Sequence, residues 1–174
     1  YTDKATVVTK GYQDRKTIAE KGGLSPHSCT SYMWDNNAPI KPEIVMEGGN
    51  ALENTNNTNE EYTSELAPIS LAGRKRNDFT NKNYFTTFPG TSASTPLAMR
   101  LATKIKCENP SLSTLSIRGL MVHSASWTET MLKMGKKKEL LRICGYGVPS
   151  EEKALYSFSS YATMIHESEL HPYE

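Results

Sequence analysis

Gly90-Thr91-Ser92-Ala93-Ser94-Thr95-Pro96 is followed by Leu97, Leu101 and Ile105 at every fourth position, with Ala98 and Ala102 on the same side. That spacing predicts a helix with one buried face. Pro96 fits it only in the first turn, where backbone N–H groups have no intrahelical partner. The helix is expected to end near Glu108, because Pro110 disfavours helical geometry at Asn109. Upstream, Tyr84-Phe85-Thr86-Thr87-Phe88 is aromatic and β-branched and reads as a strand running into the motif. Strand, small-residue turn and helix together bring Ser92 to a helix start. Unpaired N–H groups and the positive end of the helix dipole favour a developing oxyanion there. Ser92 is therefore the candidate nucleophile, with the backbone of Gly90, Thr91 and Ser92 as its support.

Outward from that motif, the chain has 174 residues, enough for one domain with a core. With a net charge of +1, composition gives no pull toward nucleic acid or a membrane surface, and neither is expected as a partner. No apolar run approaches the roughly 18 residues needed to span a bilayer. The chain opens Tyr-Thr-Asp-Lys, without Met or an apolar leader, and reads as cut from something longer. Cys29, Cys107 and Cys144 are odd in number and lack C-x-x-C spacing. They are expected to be reduced, mostly buried thiols rather than a disulfide framework or a zinc site.

Ala5–Val8 reads as a short buried strand, and Leu24-Ser25-Pro26-His27-Ser28 as a loop. Glu43–Met46 reads as a second buried strand, opened by Pro42 and ended by Gly48-Gly49. Glu47–Glu65 is rich in Asn, Thr and Glu and is expected to be a surface loop; its oxygens match no cation-ligand spacing. Pro68–Ala72 is a further strand, and Arg74-Lys75-Arg76 a solvated turn. Ser113 is placed to cap a second helix with Ile117, Leu120, Met121 and Ser124 on one face. Gly119 inside it costs roughly 1 kcal/mol relative to Ala and predicts a close contact with another backbone. Thr128–Ile143 is compatible with a basic helix or with a loop. Gly145–Pro149 is a turn, Ser150 caps a short helix, and Tyr161–Ile165 is a last strand. Strands mixed with helices give an α/β class.

The motif and four further segments resemble the subtilisin-like serine proteases. Gly90–Pro96 is similar to the family's Gly-Thr-Ser-x-Ala/Ser-Ser/Thr-Pro serine signature. Leu24–Ser28 resembles its Ser-Pro-Phe-Ser segment, and Lys41-Pro42-Glu43-Ile44-Val45 its Lys-Pro-Asp/Glu-Ile-Val strand. Ile117–Ala125 resembles its Ile-Arg-Ala-Leu-Leu helix ending in Ser-Ala, and Gly145-Tyr146-Gly147 its last turn. All stand in the family's order. Met46-Glu47 departs from the usual Ala-Pro, and Ala93 from the usual Met, which changes the floor of the site.

The resemblance implies a parallel sheet flanked by helices, of which residues 1–174 are the C-terminal part of the peptidase domain. It implies endopeptidase chemistry on a polypeptide substrate through an acyl-enzyme on Ser92. The family's D-S/T-G, H-G-T-H and A-G-N segments, which carry Asp, His and the oxyanion Asn, lie upstream and do not occur here. The missing N-terminal half is thus an expected partner, and the chain alone is expected to be inactive. His27, His123, His166 and His171 read as loop, helix-end and surface residues, and Asp3, Asp14, Asp35 and Asp78 lie in polar loops away from them. An unpaired sheet edge would favour self-association. No cofactor is expected in this chain, although calcium is compatible with the full-length protein. The unpaired cysteines lean toward a cytoplasmic bacterial location. Two other readings fit the serine: a catalytically silent interaction module, and an α/β-hydrolase esterase. The esterase elbow needs Gly where Ser94 stands, and its order needs an Asp after Ser92, where none occurs.

Overall fold

A computed structural model describes residues 1–12, 15–53, 63–72, 84–156 and 163–169. The extended segment Glu43–Gly48 runs through its centre. Successive side chains of an extended chain point to opposite faces. Ile44 and Met46 accordingly pack against a cluster of Leu101, Ile105, Ile117, Leu120, Met121 and Ala154. Val45 instead joins Met131 and Cys144 in a second cluster. Among the described residues the helices are α1 (Ser94–Glu108), α2 (Thr114–His123), α3 (Glu129–Leu132), α4 (Lys137–Cys144) and α5 (Glu151–Leu155). The first cluster draws on α1, α2 and α5, the second on α3 and α4, so the segment lies between two helical layers.

Three helices start where a hydroxyl satisfies a first-turn N–H. Ser113 accepts from Ser116 N–H, Thr128 from Met131 N–H and Ser150 from Lys153 N–H, the bonds that make Ser and Thr good N-caps. The Glu139 carboxylate reaches back to the Lys136 N–H at 2.8 Å, so Thr128–Ile143 forms two short helices rather than one. α1 ends at Glu108 as its sequence requires. Ile117, Leu120, Met121 and Ser124 are all buried.

Strand pairing is sparse and antiparallel. β1 (Ile69–Leu71) pairs with β2 (Phe85–Thr87), placing Ile69 opposite Thr87. β3 (Ala125–Ser126) pairs with β4 (Val148–Pro149). The parallel sheet implied by resemblance is not formed among the described residues. One parallel-type exchange is present: the Tyr1 amino group donates to Met46 O at 3.0 Å and Gly48 N–H to Tyr1 O at 2.9 Å.

Several expectations change. Glu43–Met46 has Val45 buried and Ile44 and Met46 partly buried, and it belongs to no ladder, because its backbone partners are single groups on separate segments. Ala5–Val8 is irregular: Val8 is 69% exposed, and the N–H groups of Val8 and Thr9 go to the Glu65 carboxylate. A side-chain acceptor has replaced a neighbouring strand. The loop expected over Glu47–Glu65 begins deep inside, with Asn50, Ala51 and Leu52 fully buried. Asn50 is tolerated there because Oδ1 accepts from Ala19 and Ala51 N–H while Nδ2 donates to Lys4 O and Ala19 O. Gly119 has no atom within 4 Å of where a Cβ would sit; it lies on the outer face of α2, and the expected close contact is absent. Thr163–Ile165 is not a strand. Arg74-Lys75-Arg76, Asp14, Asp78, Tyr161 and His171 lie outside the described residues.

Gly145 closes the turn after α4 at φ 58°, ψ −137°, and a Cβ there would lie 2.2 Å from Pro42 O. Gly145→Ala is expected to lower stability by about 3 kcal/mol or more in urea unfolding. Glu43 accepts from Arg118 Nε at 2.9 Å and also from Arg118 Nη2 and Lys41 Nζ. The Arg118 hydrogen bonds hold its carboxyl below the ordinary 4.5. A depressed folded-state value means this stabilisation is complete above that pH and is lost as pH falls through the lower value. Glu43→Gln should therefore reduce stability at neutral pH and flatten the acid limb of an unfolding-versus-pH profile.

Candidate active site

Ser92 is exposed. It sits in a single 3-10 turn, Thr91–Ala93, between β2 and α1. Gly90 enters that turn at φ 133°, ψ 153°, a region open in practice to glycine alone. Nothing lies within 4 Å of a Cβ there, so conformation and not space demands the glycine. Its N–H donates to Gly48 O at 3.1 Å, and Ala93 N–H closes the turn onto Gly90 O at 3.1 Å.

The turn is fixed from below by Ser94, whose hydroxyl reaches Met46 O at 3.0 Å and Glu47 O at 3.1 Å. The hydroxyl thus points into the central segment and does not cap α1, which has no side-chain cap. In the first turn of α1 the Ser94 N–H returns to Thr91 O, and Pro96 has no N–H to satisfy. A Cβ on Gly48 would lie 3.3 Å from Ser25 Cβ and 3.4 Å from Thr91 Cγ2. The central segment, the Leu24–Ser28 loop and the serine turn therefore meet at one place. Beside them is a cavity of about 210 Å³, whose walls include Thr91, Ser94, Cys29, Pro42, Ile44 and Met46.

His27 is half-buried in the loop after Ser25, with its backbone N–H on Ser25 Oγ at 3.4 Å. His123 is the exposed last residue of α2, and His166 is exposed near the end of the chain. Asp3 accepts from the Tyr1 hydroxyl at 3.0 Å, and the Asp35 carboxylate takes the Asn37 N–H at 2.8 Å. Among the described residues, no hydrogen bond joins Ser92 to a histidine, and neither Asp3 nor Asp35 is bonded to one. No cluster of three metal-ligating side chains occurs among them either. The expectation of mostly buried cysteines is corrected: Cys29 and Cys107 are exposed and Cys144 alone is buried. Burial pushes the Cys144 thiol up to about 11, so it is protonated and unreactive near neutrality.

The sequence model of the peptidase S8, or subtilase, family matches residues 3–147. The chain belongs to the subtilase family. The matched span contains the central segment, the serine turn, α1 and the Gly145 turn, so this subtilase carries a serine protease-type domain region. No curated protein matches it. The sequence left Ser94, an anchor of the subtilase serine turn, and Asn50, a buried organiser of the Lys4 and Ala19 backbone, without a role. Ser94 stood inside the motif, and its place in the first turn of a helix was the available signal. Asn50 followed a glycine pair and looked like loop.

Ser94→Ala removes the hydroxyl, leaving Glu47 O without that donor and Met46 O with the Tyr1 amino group alone. It is expected to destabilise the chain by about 1–3 kcal/mol, measured by chemical denaturation.

Proposed function

We propose that this subtilase chain is the serine-bearing C-terminal part of a subtilisin-like endopeptidase domain and that Ser92 is its nucleophile. One observation carries the reading: an exposed serine on a glycine-dependent turn, at the uncapped start of a helix whose first turn is anchored to the core. In this mechanism Ser92 Oγ attacks the carbonyl carbon of a peptide bond as a base removes the hydroxyl proton. The Ser92 backbone N–H receives the developing oxyanion. The amine leaves with that proton, an acyl-enzyme forms on Ser92, and water releases the acid. The base, the carboxylate that orients it and the second oxyanion donor come from an upstream half of the same domain. In that complete domain, Glu43–Met46 is one strand of a parallel sheet flanked by helices.

Fluorophosphonate labelling tests this assignment. The 174-residue chain should label negligibly, since loss of the histidine in a subtilisin costs on the order of a millionfold in rate. Addition of the upstream half should restore labelling, and Ser92→Ala should abolish it. Robust labelling of the isolated chain would overturn the claim that activation needs that half.

A catalytically silent interaction module is the second reading, favoured by the lack of any His or Asp bonded toward Ser92 among the described residues. It predicts no turnover even when the upstream half is supplied. The β1–β2 ribbon, with Ile69, Leu71, Tyr84 and Phe85 all more than half exposed, is the surface through which we expect self-association. Light scattering that returns only monomer at micromolar concentration counts against it.

A further inference from the structure

The two peptide units that follow Glu47 both aim their carbonyls at the serine turn. In a trans peptide the C=O and N–H of one unit point in opposite directions, and both of these units are trans. In the first, Gly48 N–H donates to Tyr1 O at 2.9 Å, while Glu47 O accepts the Ser94 hydroxyl at 3.1 Å. In the second, Gly49 N–H donates to Oε1 of the Glu47 carboxylate at 2.7 Å, while Gly48 O accepts the Gly90 N–H at 3.1 Å. One carbonyl therefore holds the turn two residues before Ser92, and the other holds it two residues after.

Gly48 and Gly49 belong to no helix or strand, so no ladder fixes the plane between them. Glycine's wide range of φ and ψ would let that plane rotate. The Glu47 carboxylate is the side chain that holds it. Glu47 is half-buried, and its second oxygen, Oε2, accepts the Asp3 N–H at 2.7 Å. Both bonds have the short length of charge-assisted ones, and the pair fixes the carboxylate itself. Where the plane rotates, Gly48 O turns away and Gly90, whose backbone conformation only glycine adopts, loses its tether. Ser92 Oγ then shifts against a bound peptide carbonyl, and a misplacement of about 1 Å costs on the order of a hundredfold in rate.

We propose that Glu47 is a positioning residue for the nucleophile: its carboxylate holds Gly49 N–H, which aims Gly48 O at Gly90 and so sets the turn that presents Ser92. The inference rests on the endopeptidase reading above. Glu47 acts through Gly48 and Gly90, not on the substrate. The Pro usual in the family at this place has no carboxylate with which to do the same. The Ser94 hydroxyl still ties the turn to Met46 O and Glu47 O when the carboxylate is removed, so Glu47 variants are expected to fold.

Two measurements test the role. In fluorophosphonate labelling of the chain with its upstream half, Glu47→Ala should lower the maximal rate about tenfold to a hundredfold. The half-saturating probe concentration should hold. Glu47→Gln keeps an acceptor for the Gly49 N–H and should recover most of the rate. In amide exchange of the 174-residue chain, Glu47→Ala should speed the Gly90 N–H about tenfold or more. The Ser124 N–H, bonded to Leu120 O at 2.9 Å, should keep its rate. Equal acceleration of both amides marks general loosening and overturns the proposal. So does an unchanged maximal rate, or a loss seen only as a higher half-saturating concentration. A complete wild-type domain that does not label defeats the endopeptidase reading. One that labels, with Glu47→Ala labelling as fast, defeats the role of Glu47 alone.

Discussion

Buried main chain must find partners, and in this chain the demand concentrates on one extended segment. Apolar side chains pack against both faces of Glu43–Gly48, with Val45 and Gly48 buried, so its peptide groups draw partners from the rest of the chain. Several are met by different parts of the sequence. Glu43 O accepts from Tyr146 N–H, Val45 N–H donates to Gly147 O, and Gly48 O takes the Gly90 N–H. Met46 O receives both the Tyr1 amino group and the Ser94 hydroxyl. The chain's beginning, its serine turn and its last turn are thus tied to the same few atoms. The position of Ser92 follows from this arrangement, since its turn is bonded to the segment on one side through Gly90 and on the other through Ser94.

The same dependence explains how the site is divided. Backbone geometry, helix start and anchoring hydroxyl all come from residues 43–108, and they are complete among the described residues. Proton transfer requires a base within hydrogen-bond reach of Oγ and a group to orient it, and the described histidines and aspartates do not supply that pair. Presentation of a nucleophile and its activation are therefore separable properties here.

How much of this the sequence disclosed depends on the range of the forces involved. α1, α2 and α5 were legible because helix faces, first-turn proline and hydroxyl caps are encoded within a few residues. The Gly-Thr-Ser turn was legible for the same reason. The strands were legible only as extended, apolar stretches, because pairing is decided by what comes alongside. Ala5–Val8 has the composition of a strand, yet Glu65, far away in sequence, takes its N–H groups. Asn50 looked like loop, and only the carbonyls of Lys4 and Ala19 converging on it make its burial tolerable. Arg142 gave no sign that its guanidinium would donate to Ala38 O and Asn36 O, a hundred residues earlier. Gly119 was misread because a glycine inside a helix signals either a close neighbour or none, and the local sequence is the same for both.

The distribution of partners around Glu43–Gly48 also bears on the order of folding. The segment is made early, but its coverings, from Leu101 to Ala154, follow roughly sixty to a hundred residues later. Contacts so distant in sequence form slowly, because loop closure comes before any gain from burial. Ile44 and Met46 therefore stay bare until α1 and α2 have been made, and Val45 until Met131 and Cys144 have followed. Folding is in that sense a late, concerted event, and the nascent chain passes through a stage in which an apolar, extended stretch needs protection from other chains.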